Sequence, residues 1–218
     1  MMLVLAGVFA GDADPAYGGT NGTDYYVASY LPVPMAAVAL IGLPTALASY
    51  RELGIIRRFE ASGLSLLNVV GAQAFVTAVL VVLGAALVLL AAGPIYGIPA
   101  VVDLAGVIVC FLLGMVTMLS LGVAFGLAAR TARSAQALGL LAFMPMWLLG
   151  GGGPPPAVMT DVMQRVSDVL PMSHVTAAVR NAWLDTGDVG GHVLAVSLWL
   201  GLGLTACAWL LRRRPDRP

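Results

Sequence analysis

The chain has 218 residues, 60% of them hydrophobic and only 10% charged, with a mean hydropathy of +0.93. A soluble domain carries about 25% charged residues, so the composition excludes one and predicts an all-α integral membrane protein, a single domain over 1–218. Eleven acidic residues balance eleven basic ones, and every basic residue is arginine. Without lysine no GxxxxGK[ST] phosphate loop can exist, so an ATP-driven step needs a second polypeptide.

In chain order, residues 1–10 are apolar but too short to cross about 30 Å of hydrocarbon, which takes about 20 residues. They match the core of a signal peptide only in part, because no basic residue precedes them. Asp12, Asp14 and Asp24 with four glycines then make a polar loop. A first complete span is predicted at about 30–50, with Tyr25, Tyr26 and Tyr30 at one interface and Tyr50 at the other. Pro32 and Pro34 fall in its first turn, and Pro44 should kink it.

The connection 51–63 packs three arginines and two glutamates into ten residues between two apolar runs. Leu53, Ile56 and Phe59 recur at helical spacing, which predicts a short amphipathic helix at the membrane surface, apolar face down. A positive loop touching anionic lipid fits this pattern. A docking element for a protein partner fits it too, and accounts better for the mixed signs.

A second span is expected at 64–92, followed by a turn at Gly93-Pro94 and Gly97-Ile98-Pro99. The third, 101–129, carries Gly106, Cys110, Gly114, Gly122 and Gly126 at four-residue spacing, a ridge that lets another helix approach closely. A neighbour in the same chain and a dimer seam both suit it. Cys110 and Cys207 lie in separate apolar runs, which excludes a disulfide framework. A fourth span at 135–149 ends in four glycines and three prolines, where no helix should continue. Val158, Met159, Val162, Met163, Val166, Val169 and Leu170 then predict an amphipathic helix ended by Pro171. Ser173 is placed to cap the next helix and Trp183 to sit at an interface. Residues 154–188 therefore read as short interfacial or re-entrant helices outside the membrane, before a last span at 189–211.

Under this topology nine of the eleven arginines (51, 57, 58, 130, 133, 212, 213, 214 and 217) share one side, against Arg165 and Arg180 on the other. That asymmetry puts the connection and the C-terminus in the cytoplasm. The spans hold no ionisable or metal-binding group suited to catalysis, and serines such as Ser120 lack an activating histidine. No enzyme activity, metal, cofactor or nucleic-acid partner is expected. The spans do hold mild polarity: Asn68, Gln73 and Thr77 on the second, Thr117 and Ser120 on the third, Phe143 and Met144 on the fourth. Interhelical hydrogen bonds and core packing explain these residues, and so does an adaptable path for an amphiphilic small molecule.

The run Tyr-Arg-Glu-Leu-Gly-Ile-Ile-Arg-Arg-Phe-Glu-Ala-Ser-Gly-Leu-Ser, residues 50–65, resembles the cytoplasmic connection of type-2 ABC transporter permeases. Phe143-Met144-Pro145, the glycines 150–153, Leu170-Pro171-Met172-Ser173-His174 and Arg180 are similar to that family's last third, in the same order. The resemblance implies a membrane subunit, homodimeric or heterodimeric, that works with a separate ABC ATPase. Arg51, Glu52, Arg57, Arg58 and Glu60 would face that partner. It implies export of drug-like molecules in the manner of daunorubicin-resistance permeases of bacterial plasma membranes, with lipid-linked glycan export as the alternative. It also makes residues 1–10 the end of a partial, N-terminally truncated first span. A non-transporting assembly factor or degenerate permease is the reading from another class.

Overall fold

The computed structural model describes residues 11–213, so the expectations for residues 1–10 and for Arg214 and Arg217 lie outside the described residues. Ten α-helices account for most of those residues, with π and 3-10 turns between them. They are α1 (Gly22–Tyr30), α2 (Val33–Ala37), α3 (Leu43–Glu52), α4 (Ile55–Ala61), α5 (Leu66–Tyr96), α6 (Leu104–Ala128), α7 (Ala132–Trp147), α8 (Asp161–Ser167), α9 (Pro171–Leu184) and α10 (Gly190–Arg212). Five stretches are long and apolar enough to cross a membrane: Pro15–Glu52, Leu66–Tyr96, Leu104–Ala128, Ala132–Gly152 and Gly190–Arg212. The protein is an all-α membrane protein.

The first stretch starts earlier than hydropathy suggests. Asn21 caps α1 by accepting from the Asp24 N–H at 2.7 Å, so helix begins at Gly22. Tyr25, Tyr26 and Tyr30 are consequently buried, which corrects their expected place at an interface. Their hydroxyls have a task there: Tyr30 donates to the Gly152 carbonyl at 2.8 Å and Tyr26 to Gly153 at 3.4 Å, where the chain after α7 leaves regular helix. Pro32 and Pro34 mark the break between α1 and α2.

Pro44 acts through the register. Between α2 and α3, residues Val38–Gly42 form a π turn, in which the Leu43 N–H reaches back to the Val38 carbonyl. That takes from Ala39 its α-helical donor, and Pro44, having no N–H, takes Leu40's. These two oxygens lie against glycines. A Cβ on Gly122 would come within 2.0 Å of the Ala39 oxygen, and one on Gly139 within 2.0 Å of the Leu40 oxygen. Glycine Cα hydrogens thus meet the two carbonyls, the close approach that only glycine permits.

Helix α6 is the centre of the bundle, packed by α10, α9, α3 and the π turn. Gly114 faces Val175 of α9 and Met35 of α2, while Gly126 faces Pro44 and Leu47. Gly106 lies against Ala182 and against Asp103, which caps the helix. The ridge therefore serves neighbours within the chain. Helix α5 runs through Gly93-Pro94, where a turn is expected, and stops at Gly97 with φ +78°. A proline so near the end forfeits a single helical bond. Helix α7 begins at Ala132 because Thr131 and Ser134 cap it reciprocally. A π turn continues it at Leu148, and regular helix then breaks at Gly150 and Gly151, whose backbone is non-helical, Gly151 at φ +124°.

The region 154–188 departs most from expectation. The long amphipathic helix shrinks to α8, and Val158, Val162, Val166 and Val169 are exposed. Helix α9 opens at Pro171, so Ser173 lies inside it and bonds Ser167 Oγ at 3.0 Å instead of capping. It is buried along α6, antiparallel to it, with Val175 at Gly114 and Ala182 at Gly106. Trp183 is buried with it and donates to the Pro99 carbonyl at 3.0 Å.

The glycine contacts set a test. Gly122→Ala and Gly139→Ala place a methyl group on a backbone oxygen that no rotamer change relieves. Each should destabilise the solubilised protein by about 1–3 kcal/mol or more in thermal unfolding. Gly201→Ala in α10, where nothing lies within 4 Å, should leave stability at or slightly above the parent.

Candidate functional site

The end of α3 carries several polar contacts to distant segments. Arg51 and Glu52 are its last two residues, and Gly54, at φ +69°, separates them from α4. The connection is thus two elements and not one helix over 51–63: Leu53 lies in the turn, 65% exposed, while Ile56 is buried. The positive φ at Gly54 ends α3, as glycine does at a helix terminus.

The Arg51 guanidinium donates to the carbonyls of Leu127 at 3.0 Å, Ala129 at 2.5 Å and Gly126, all at the C-terminus of α6. Glu52 Oε2 accepts from the Ala132 N–H at 3.0 Å, the first residue of α7. A cation thus sits on the negative end of one helix dipole and an anion on the positive end of the next. The two side chains grip both sides of the α6–α7 turn. Of the other residues expected to face a partner, Arg57, Arg58 and Glu60 are exposed on α4 beyond Gly54.

The residues expected to form a substrate path do not converge. Asn68 and Gln73 line a groove of about 620 Å³ with Tyr50, Ile55, Phe59 and Leu64, between the connection and the start of α5. That volume is in the range of small-molecule sites. Tyr50 Oη lies 3.5 Å from Gln73 Oε1 across it. Thr77 is buried and donates to the Gln73 carbonyl at 2.8 Å. Thr117 and Ser120 are sealed between α6 and α10. Thr117 donates to Leu113 at 2.8 Å, Ser120 to Thr117 at 2.7 Å, and the Cys207 thiol to Ser120 at 3.2 Å. Phe143 packs on the central core, whereas Met144 is exposed. Sequence reading missed the meeting of His174 with His192, whose Nδ1 atoms lie 3.0 Å apart. Eighteen residues separate them in the chain, and the α9–α10 hairpin brings them together.

Similarity to known proteins agrees with this architecture. No curated protein matches the sequence. A family model described as ABC-2 family transporter protein matches residues 10–212, nearly the whole chain. The protein, a multi-pass membrane permease of an ABC transporter, belongs to the ABC-2 family.

Proposed function

We propose that this permease exports drug-like or amphiphilic molecules as a dimer, driven by a separate ATPase that docks on α4. One observation carries the coupling scheme: Arg51 and Glu52 hold the ends of α6 and α7 immediately before the exposed charges of α4. A push on α4 passes through Gly54 into α3, and the paired contacts pass it on to α6 and α7. The groove formed by Tyr50, Phe59, Asn68 and Gln73 borders the same hinge, so movement of α4 reshapes it. Its apolar walls and few amide groups suit an amphiphile taken from the cytoplasmic leaflet. The arginine asymmetry supports an orientation with α4 and the C-terminus in the cytoplasm, and the proposed setting is a bacterial plasma membrane.

Orientation is checked by cysteine accessibility. Ala13→Cys and Ala100→Cys should react with an impermeant maleimide on intact cells, whereas Ser62→Cys and Arg133→Cys should react only after lysis. The two native cysteines are buried. Reaction at Ser62→Cys from outside reverses the topology.

Coupling is checked at Glu52. Its exposed bond to the α7 N-terminus contributes about 0.3–1 kcal/mol, so Glu52→Ala should insert normally and keep its ATPase while losing export. Arg57→Ala with Arg58→Ala should weaken co-purification of the ATPase at low salt, and the difference from the parent should shrink as salt rises. Export and co-purification are measured for both in the same membranes, with the ATPase encoded beside the permease. If Glu52→Ala exports like the parent, the coupling role is wrong. If no ATPase associates with the parent chain, the non-transporting reading replaces export.

A further inference from the structure

The half of the bundle remote from α4 encloses a second recess, of about 150 Å³, that coupling does not use. The break at Gly150–Gly151, helix α9 and the start of α10 wall it, and its polar residues include Tyr25, Asp168, His174, Arg180 and His192. Arg180 lies with its guanidinium carbon 4.5 Å from the Tyr25 ring centre. One of its nitrogens donates to Tyr25 Oη at 3.0 Å and to Ser29 Oγ at 3.5 Å. Among the described residues it makes no ion pair, so hydroxyls and a ring face leave its charge uncompensated. Its Nε and second terminal nitrogen have no hydrogen-bond partner there. A partly buried guanidinium in that state favours an anionic ligand, which it holds with charge-assisted bonds.

The histidine pair lines the same recess. His174 Nε2 lies 2.8 Å from the Asp168 carbonyl, which only accepts, so His174 carries a proton on Nε2. With both rings neutral, His174 Nδ1 therefore accepts from the His192 Nδ1–H across their 3.0 Å contact. A proton added at His192 Nε2 lets the shared proton pass to His174, and the pair becomes cationic with both hydrogen bonds intact. Burial opposes that proton at His192; of the charged groups around the pair, Arg180 opposes it too, and Asp188 and Asp168 favour it. Asp168 is exposed at the rim, and Asp188 accepts from the Gly191 N–H at 2.9 Å. Thr176 lines the same recess, 1% exposed, and its hydroxyl has no hydrogen-bond partner among the described residues. Nor does any cluster of three metal-ligating side chains gather among them. The Arg180 edge and the Thr176 hydroxyl thus turn unused donors toward the recess, whose one carboxylate, Asp168, stands at its rim.

We propose that this recess is an oxyanion site, in which the unoccupied edge of Arg180 binds a phosphate or carboxylate group and the histidine pair takes up a proton as that group enters. Its volume equals that of about five waters in the liquid, enough for one such group with little hydration. The ligand is either a small soluble anion or the headgroup of an amphiphile that reaches the recess from the membrane. The site is built within one chain, so it stands or falls independently of ATPase docking and of export.

The chain has only two histidines, and both line the recess, so histidine-selective isotope labelling gives two NMR signals that report on it alone. The full chain is placed in zwitterionic lipid nanodiscs, and the signals are titrated with pH in phosphate and in chloride at equal ionic strength. A second set of discs contains phosphatidylglycerol without added phosphate. Binding should raise the pair's titration midpoint by about one pH unit, as a nearby opposite charge does. A shift in phosphate assigns the site to a soluble anion, and a shift only with phosphatidylglycerol assigns it to a headgroup. Arg180→Gln should abolish either shift while both signals still titrate, and Arg180→Lys should restore part of it. Identical midpoints in all three conditions for the parent chain overturn the proposal, with no variant required. A shift undiminished in Arg180→Gln overturns it as well, since it would then report general charge screening.

Discussion

Two backbone oxygens govern how this bundle assembles. In hydrocarbon every peptide carbonyl needs a donor, because no water is present to supply one. The π turn at Val38–Gly42 and the proline at 44 leave Ala39 and Leu40 without their α-helical donors. Gly122 on α6 and Gly139 on α7 bring Cα hydrogens onto those oxygens from two sides. The irregular backbone is therefore enclosed by protein, and that enclosure fixes the register of the first, third and fourth spans together. Gly126 and Leu47 continue the same seam toward α3, so its position relative to α6 follows from the contact above it.

That register is what gives the Arg51–Glu52 pair its geometry. The two side chains lie one helical segment below the π turn and meet the α6–α7 turn with opposite charges on opposite dipoles. The Glu52 contact is weak by itself, since that carboxylate is exposed to solvent, whereas Arg51 is half-buried and bonds three carbonyls. Together they join the ends of three spans. The remote half is built differently. There α9 replaces solvent along α6, and tyrosine hydroxyls take the carbonyls left over by the glycine break.

Much of this was legible in the sequence because hydrophobic length and small-residue spacing are local signals. The five spans follow from runs of apolar residues, and the glycine ridge from a four-residue repeat. The position of the tyrosines was not legible. Tyr25, Tyr26 and Tyr30 have the composition of an interface belt, and only the distant break at Gly150–Gly153 supplies the acceptors that draw their hydroxyls inward. Trp183 misleads for the same reason, its indole N–H being satisfied by Pro99, 84 residues away in the chain. On the candidate site, the charges of the connection were visible but their division was not. The reach of Arg51 to the end of α6 depends on a fold in which the two ends are adjacent. Asn68 and Gln73 border a groove, whereas Thr117 and Ser120, equally polar, are consumed by helix packing.

The π turn has a further consequence for how this sequence tolerates change in length. A π turn accommodates one residue more than regular α-helix, and each residue advances a helix by about 100°. Deleting any one of residues 39–42 would therefore let the helix heal into uniform geometry, with the Leu43 N–H still reaching the Val38 carbonyl but now as an ordinary α-helical bond. Met35 above and Leu43 and Leu47 below would keep the faces they present to α6. A codon lost from the regular helix on either side has no such slack and would turn one half against the other by roughly a quarter of a rotation. The first span thus tolerates a lost codon best inside its π turn.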